Sequence, residues 1–343
     1  MRKTLLACSG GADSSALVLM LSAVTRHLVV AHVVHDLREP GVREGDRDAA
    51  RDLARQMDLP FVHGQVEVRR AGGGGGNVEA RARRARYALL GELAREHGCP
   101  YVATAHHADD QLETMLMRLI RGSGPRGLAG IAEHRALVGG AGDEVPGQEW
   151  NACGGGGGGG GVTLIRPMLD LSRADSEAIC RMAGWSWRHD HTNDDRARLR
   201  ARIRHDVMPV LRSIRADASH RSTGSARLMG EAARIVDERA RFLDEAAGEP
   251  VNGAARGAGS GPDLAWRRES LESEPGIVVG TLLRQAASKL GRGCGRDRLG
   301  LRAVDPLVCA ICGGSPEPRE FCWKGCVIRV DRRWVTMTRK DAQ

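Results

Sequence analysis

Short apolar runs alternate along the first part of the chain with longer segments whose apolar positions fall at helical spacing. Residues 4–7, 27–33, 61–68 and 101–105 read as buried strands, and 14–22, 42–57 and 79–97 as helices. A helix over 109–120, a strand over 162–165 and a helix over 173–183 continue the series. Strands and helices alternating at this rhythm predict an α/β fold: a doubly wound parallel sheet covered by helices on both faces.

Two glycine tracts, 72–76 and 154–161, interrupt the pattern. Ordering polyglycine costs the most backbone entropy and leaves no side chain to pack, so both read as flexible loop insertions. Beyond Pro209 the character changes. Residues 219–247 predict one long charged helix or two shorter ones, 250–262 a linker rich in glycine, alanine and serine, and 275–291 another helix. The cysteine-rich tail over 304–339 looks partly β. A boundary near Ile214 gives an α/β domain over 1–214 and a mainly helical C-terminal region with a small β part over 215–343.

At 343 residues the chain has room for two or three domains. Lys plus Arg outnumber Asp plus Glu by 51 to 43, a formal charge of +8. That surplus suits nucleic acid or an anionic membrane, and equally a soluble basic protein. The excess is nearly all arginine, whose planar fork fits phosphates and stacked bases. No stretch reaches the length of a membrane span, and the opening apolar run, ending at Ser9–Gly10, is too short for a signal-peptide core. The expectation is a cytoplasmic protein without a membrane partner. There, an odd count of nine cysteines argues for thiols or metal ligands over a disulfide framework.

The sharpest chemical signal is Ser9-Gly10-Gly11-Ala12-Asp13-Ser14, directly after the first strand and ahead of the first helix. N–H groups at such a turn point outward, and the helix N-terminus adds partial positive charge. Gly10 and Gly11 let the main chain approach an anion without a Cβ clash, while Ser9 and Ser14 add hydroxyls. The turn suits a phosphate or pyrophosphate, although the Gly-Lys-Ser/Thr ending of a Walker A loop is absent. The plainer alternative is a capped helix after a glycine turn, with Asp13 as an acidic first-turn residue. The run resembles the SGGxDS turn of the PP-loop ATP pyrophosphatases, which split ATP to AMP and pyrophosphate while activating a carbonyl oxygen.

A second cluster, His106-His107-Ala108-Asp109-Asp110-Gln111-Leu112-Glu113, follows a strand and opens a helix. In an open parallel sheet, ligands bind beyond the carboxyl ends of strands, so this cluster and the Ser9 turn should share a cleft. Asp110 and Glu113 fall on one helical face, where two carboxylates can hold Mg²⁺ or a substrate ammonium. His106 can donate to a phosphate or position a nucleophile. The alternative is an ordinary acidic helix start.

Here the chain resembles the bacterial tRNA(Ile)-lysidine synthetases. Their block "AHHxDDQxETxLxRLxRGSGxxGLxGM" is matched over 106–131, including Arg118, Arg121 and Gly122. Residues 32–38 resemble "HVDHGLR", departing at Val34 and Asp36. Residues 79–87 resemble "EAxARxxRY", with Arg86 and Tyr87 in place, and 166–169 resemble "RPLL". Residues 190–193 with 200–205 resemble "DPSN…RNRIRH", departing at Ala201. The likeness covers about residues 4–212, in the family's order.

The resemblance implies a PP-loop, adenine nucleotide alpha hydrolase-like domain that uses ATP and Mg²⁺. ATP would adenylate the C2 oxygen of the wobble cytidine of an isoleucine tRNA with a CAU anticodon, and the ε-amine of L-lysine would displace AMP. In that frame Ser9, Gly10, Gly11, Ala12, Asp13 and Ser14 bind the pyrophosphate end, with Asp13 near Mg²⁺. Ala31, His32 and Val33 hold adenine through the main chain. Asp110 and Glu113 meet lysine's amine or a metal, Arg86 and Arg121 handle phosphate or carboxylate, and the C-terminal region recognises tRNA. A homodimer is left open.

Arg198, Arg200, Arg202 and Arg204 would form two neighbouring rows on a helix, either a basic stripe for RNA or a solvated face paired with nearby Asp residues. Cys309, Cys312, Cys322 and Cys326 offer two close pairs, either a structural Zn²⁺ site or reduced cysteines of a small β subdomain. Two rival functions stand beside ligation: a PP-loop tRNA thiolase, which needs cysteines near the ATP cleft, and a degenerate RNA-binding module without catalysis.

Overall fold

The computed structural model describes residues 2–35, 40–67, 78–137, 161–188, 199–247, 263–290, 301–313, 317–323 and 325–339. Asp36, the 72–76 tract, nearly all of the 154–161 tract, residues 190–198 with Arg198, and the 250–262 linker lie outside the described residues. The chain forms two compact units, Met1–Arg118 with Ala129–Arg227, and Leu119–Leu128 with Leu228–Gln343. Among the described residues no helix is long and apolar enough to cross a membrane.

The first unit begins β1 (Thr4–Ala7), α1 (Ala12–Ser22), β2 (Leu28–His35), α2 (Pro40–Gln56), β3 (Phe61–Val66), α3 (Val78–Glu96), β4 (Tyr101–Ala103) and α4 (Ala108–Ile120). After α5 (Pro125–Leu128), which belongs to the second unit, come β5 (His134–Leu137), β6 (Val162–Ile165) and α6 (Arg173–Met182). Then follow α7 (Leu199–Arg202), a π-helical turn over Ile203–Val207, α8 (Met208–Ile214) and the start of α9 (Ala218–Ala247).

The strands lie in the order β3-β2-β1-β4-β6-β5. All pair in parallel except β5, which runs antiparallel to β6 at the edge. Successive residues of a strand face opposite sides, so β1 at the centre feeds two cores. Leu5 packs with Val29, Tyr87, Leu90 and Val102 on one face. Leu6 packs with Leu17, Val30, Leu53 and Ala103 on the other. Burial on both faces is why these strands read as continuous apolar runs.

The strand order reverses between β1 and β4. From β1 the chain winds outward to β3, then returns to β4 and winds the other way to β6. The loops leaving β1 and β4 therefore part from each other and open a crevice at the carboxyl edge of the sheet.

The second unit carries β7 (Leu264–Arg267), α10 (Arg268–Glu272), α11 (Gly276–Leu290), α12 (Leu301–Cys312), β8 (Arg319–Trp323), β9 (Cys326–Val330) and β10 (Trp334–Arg339). Its antiparallel sheet, in the order β7-β10-β9-β8, shares a core with α11 and α12 in which Trp266, Leu282, Ile311 and Val335 are fully or almost fully buried.

The zinc expectation for the tail is corrected here. Cys309 and Cys312 are exposed residues of a helix. On the β8–β9 hairpin, Cys326 pairs with Trp323 and shares its buried face. Cys322, one residue away from Trp323, is turned to the opposite, exposed face by the alternation of the strand. Among the described residues no three His, Cys, Asp or Glu side chains converge to hold a metal by themselves.

Candidate active site

The crevice is lined first by the glycine turn between β1 and α1. Gly10 has φ +86°, a left-handed conformation open to glycine at little cost, and lies against the α2 backbone at Asp46. The Ser14 hydroxyl fixes the turn from within. It accepts from the Ser9 N–H at 3.0 Å, donates to the Gly11 carbonyl at 3.1 Å and meets the Ser9 hydroxyl at 3.1 Å. Arg188 clamps the outside, its N–H donating to the Gly10 carbonyl and its Nε to Asp46 Oδ1 at 2.8 Å.

The concave side stays open. A methyl group on Gly11 would meet nothing nearer than Ser9 Oγ at 3.8 Å, and no side chain caps α1. The first-turn N–H groups are thus available to an anion. Asp13 Oδ1 is buried and has no hydrogen-bond partner among the described residues. Burial alone would raise the Asp13 pKa, but the hydrogen bond and charge of His107, with Arg173 and Ser176, hold it below its usual value.

The loop leaving β4 supplies the facing wall. His107, 4% exposed, joins the two helix starts: its Nε2 lies 3.6 Å from Asp13 Oδ2 and 3.5 Å from Asp110 Oδ2. Burial disfavours a charged ring, yet Asp110, Asp13 and Asp109 outweigh it and raise the His107 pKa. His106 is its opposite. Burial and the guanidiniums of Arg166, Arg83, Arg86 and Arg200 lower its pKa well below the usual value, and its Nδ1 lies 2.9 Å from the Thr104 hydroxyl.

Asp110 and Glu113 share the inner face of α4, where Arg200 and Arg204 neutralise them. Arg200 donates from Nη2 to Asp110 Oδ1 at 2.7 Å and from Nε to Glu113 Oε2 at 2.8 Å. Arg204 donates to both Glu113 oxygens, at 2.6 and 3.0 Å. α7 and the π-helical turn after it bring both guanidiniums to α4. Arg202 turns to solvent and pairs loosely with Asp206. Asp109 is an anchor: it accepts from the Arg173 N–H, Arg212 and the Ser219 hydroxyl, tying α6, α8 and α9 to α4.

Of the adenine-side residues, Ala31 gives its carbonyl to the Cys8 N–H, and His32 Nδ1 lies 2.8 Å from the Cys8 carbonyl. By the alternation of β2, Val33 repeats the orientation of Ala31 past the last β1–β2 pair, Ala7 with Ala31. The structure thus brings together the Ser9–Ser14 turn, His106, Asp110, Glu113, Arg86, Arg200 and Arg204. Arg121 follows the end of α4, is exposed and belongs to the second unit.

Four further features shape the site. The role of His107 was legible in its spacing of three from Asp110. The Arg188–Asp46 clamp spans 142 positions and has no local signal. The anchor role of Asp109 depends on three partners distant in sequence, and Arg83, Arg135 and Arg166 gather only once the sheet has formed.

Residues 1–211 match the PP-loop domain family. The chain is 37% identical over 233 residues to a tRNA(Ile)-lysidine synthase of Geobacter sulfurreducens, covering 67% of this chain and 44% of that protein. It is 38% identical over 229 residues to the protein of that name in Novosphingobium aromaticivorans, covering 65% and 62%. A Methylobacterium sp. protein of the same name is 35% identical over 318 residues, covering 91% and 82%. The chain therefore spans about half the length of the first two relatives and most of the third. A solved U34-tRNA thiolase, NcsA from Methanococcus maripaludis, is similar at a TM-score of 0.50 and 15% identity, covering 67% of this chain and 73% of that one, which speaks to the fold alone. With the glycine turn and the carboxylate helix meeting at the sheet's switch point inside the matched span, the chain belongs to the tRNA(Ile)-lysidine synthase family of PP-loop proteins.

Proposed function

We propose that the chain is a cytoplasmic, ATP-dependent ligase that joins the ε-amine of L-lysine to C2 of the wobble cytidine of an isoleucine tRNA with a CAU anticodon. The observation that carries this reading is His107 bridging Asp13 and Asp110, which unites an anion-binding turn and a carboxylate pair in one crevice. When bound, ATP supplies the AMP group that makes the base oxygen a leaving group. The Ser9–Ser14 turn fits its phosphates, since Gly11 leaves the concave side open and the first turn of α1 has no side-chain cap. Asp13 fits Mg²⁺, which commonly takes one or two carboxylates together with phosphates and water; its Oδ1 is the buried oxygen still lacking a partner. Val33 is the main-chain candidate for adenine.

Glu113, 1% exposed, has both oxygens occupied by Arg200 and Arg204. It sets the floor of the site. Asp110 reaches further toward solvent and is the acceptor for lysine's ammonium. His106, kept neutral by burial and nearby guanidiniums, can take at Nε2 the proton that the amine loses when its nitrogen bonds carbon. Arg86 adds positive charge beside His106.

The thiolase alternative meets a chemical difficulty. Burial raises the pKa of both Cys8 and Cys180 beside the turn, Cys180 to about 11 with help from the Asp13 charge. Such thiols stay protonated and are poor nucleophiles. The test is incubation of the full chain with unmodified isoleucine tRNA, ATP and labelled lysine. ATP-dependent label in the RNA is expected. Incorporation of cysteine sulfur in place of lysine would move the chain to the thiolases.

A further inference from the structure

Bordering the crevice at His106, four arginines gather about one buried ring. The guanidinium carbons of Arg83, Arg135 and Arg86 lie 5.1, 5.2 and 5.6 Å from the centre of the Tyr87 ring. Arg83 and Arg86 come from α3, Arg135 from the edge strand β5, and Arg166, at the end of β6, adds its charge to the same group. Tyr87 is 2% exposed, and its hydroxyl is buried without a hydrogen-bond partner among the described residues.

The buried hydroxyl is unfavourable without a ligand, because it has given up water and gained no partner among the described residues. The guanidiniums concentrate positive charge over the same ring. The local field is strongly positive: burial should raise the Tyr87 pKa, yet Arg83, Arg86, Arg166 and Arg135 bring it below the usual value. Arg166, Arg83 and Arg86 also depress His106, so the group borders the candidate catalytic histidine. An anion that accepts from the Tyr87 hydroxyl removes that penalty and meets a region already positive.

We infer that Tyr87, Arg83, Arg86, Arg135 and Arg166 form a subsite for a backbone phosphodiester of the RNA strand, next to the nucleotide that reacts at His106. The inference rests on the tRNA reading above and extends it. A single substrate carboxylate is satisfied by one guanidinium fork, whereas forks arriving from three elements suit a backbone charged at every nucleotide. The phosphates of ATP have their own place at the start of α1, on the Asp13 side. Arg86 is exposed and Arg135 half-buried, so the subsite opens to solvent for a strand to enter.

The test measures binding of unmodified isoleucine tRNA to the full chain over a range of salt concentrations. Losing one phosphate contact should reduce the slope of log affinity against log salt by about 0.7–0.9. Arg135→Gln and Arg83→Gln should each show that drop, and Arg135→Lys should keep the wild-type slope. Tyr87→Phe should weaken RNA binding several-fold with the slope unchanged and without lowering Tm, because the hydroxyl has no partner to lose. Unchanged slopes in both glutamine variants would overturn the subsite. So would a raised KM for ATP or for lysine in those variants with RNA affinity intact. If the wild-type chain binds no tRNA, the tRNA reading itself falls and the subsite with it.

Discussion

His107 Nε2 stands 3.6 Å from Asp13 Oδ2 and joins the first turn of α1 to the first turn of α4. The bridge matters because the two turns come from different loops, and His107 sets the distance between their carboxylates. His107→Gln should lower turnover about 100-fold, the scale of a misplacement near 1 Å, while ATP binding stays close to wild type. Initial rates at saturating substrates, together with ATP titration of the free protein, separate the two effects. A variant that turns over normally would show that α1 and α4 hold their places without the ring.

The two histidines should also set the pH profile, with opposite signs. Burial and nearby guanidiniums favour the neutral form of His106, whereas Asp110, Asp13 and Asp109 favour the charged form of His107. Activity should rise as pH climbs past the depressed His106 pKa and fall as pH passes the raised His107 pKa. Stability follows the same linkage. The contribution of His107 is fully present below the ordinary histidine value of about 6.5 and is lost as pH rises through its folded pKa. That of His106 is present above about 6.5 and is lost as pH falls toward its depressed value. In His107→Gln the alkaline limb of the rate profile should disappear. Its persistence would assign that limb to another group.

Asp109 should contribute to stability more than to chemistry. Burial alone would raise its pKa, but Ser219, the Arg173 N–H and Arg212 bring it to about 2, against 3.8 for a free carboxyl. A shift of that size corresponds to about 2 kcal/mol. The contribution is present above the free value and is lost as pH falls through the folded one. Asp109→Asn should therefore destabilise the chain by about 2 kcal/mol at neutral pH and by far less near pH 2, as read by chemical denaturation at both values.

Asp110 and Glu113 should separate in the same assays. Glu113→Gln leaves Arg200 and Arg204 facing a neutral amide in a buried corner, and should destabilise by about 1–3 kcal/mol. The half-exposure of those guanidiniums keeps the loss below that of a fully buried pair. Asp110→Asn, nearer solvent, should cost less stability and raise the KM for lysine. Equal effects of the two substitutions on lysine KM would remove the division of labour between them.

Much of this could be read from the chain before folding, and the exceptions have a common cause. β1, β6 and the glycine turn are local: an apolar run or a strand-to-helix turn shows its nature in a few residues. The opening of α4 and its Asp110–Glu113 face were legible for the same reason, since helical spacing is short-range. β5 was missed because its residues are alternately half-buried and exposed at a sheet edge, which leaves no apolar run to detect. Arg200 and Arg204 read as either a basic stripe for RNA or a solvated face paired with nearby Asp residues, because spacing reports which residues share a face and not what that face meets. The carboxylates they meet lie some 90 positions away. Arg135 beside Tyr87 and Arg188 beside Asp46 are long-range in the same sense.

The glycine turn permits the sharpest separation of folding from binding. At Gly10 an alanine must hold φ near +86°, at about 1–2 kcal/mol, with its Cβ 3.1 Å from the Asp46 carbonyl of α2. Gly10→Ala should therefore lose both stability and ATP affinity. At Gly11 the backbone is extended, and a Cβ meets no protein atom closer than 3.8 Å. Gly11→Ala should keep stability within about 1 kcal/mol, the range of a changed N-cap, yet weaken ATP binding at least tenfold, because the methyl group would occupy the space where an anion must approach the first-turn N–H groups. Thermal unfolding with and without ATP reads both quantities in one experiment. If Gly11→Ala is stabilised by ATP as strongly as wild type, the phosphates are bound elsewhere.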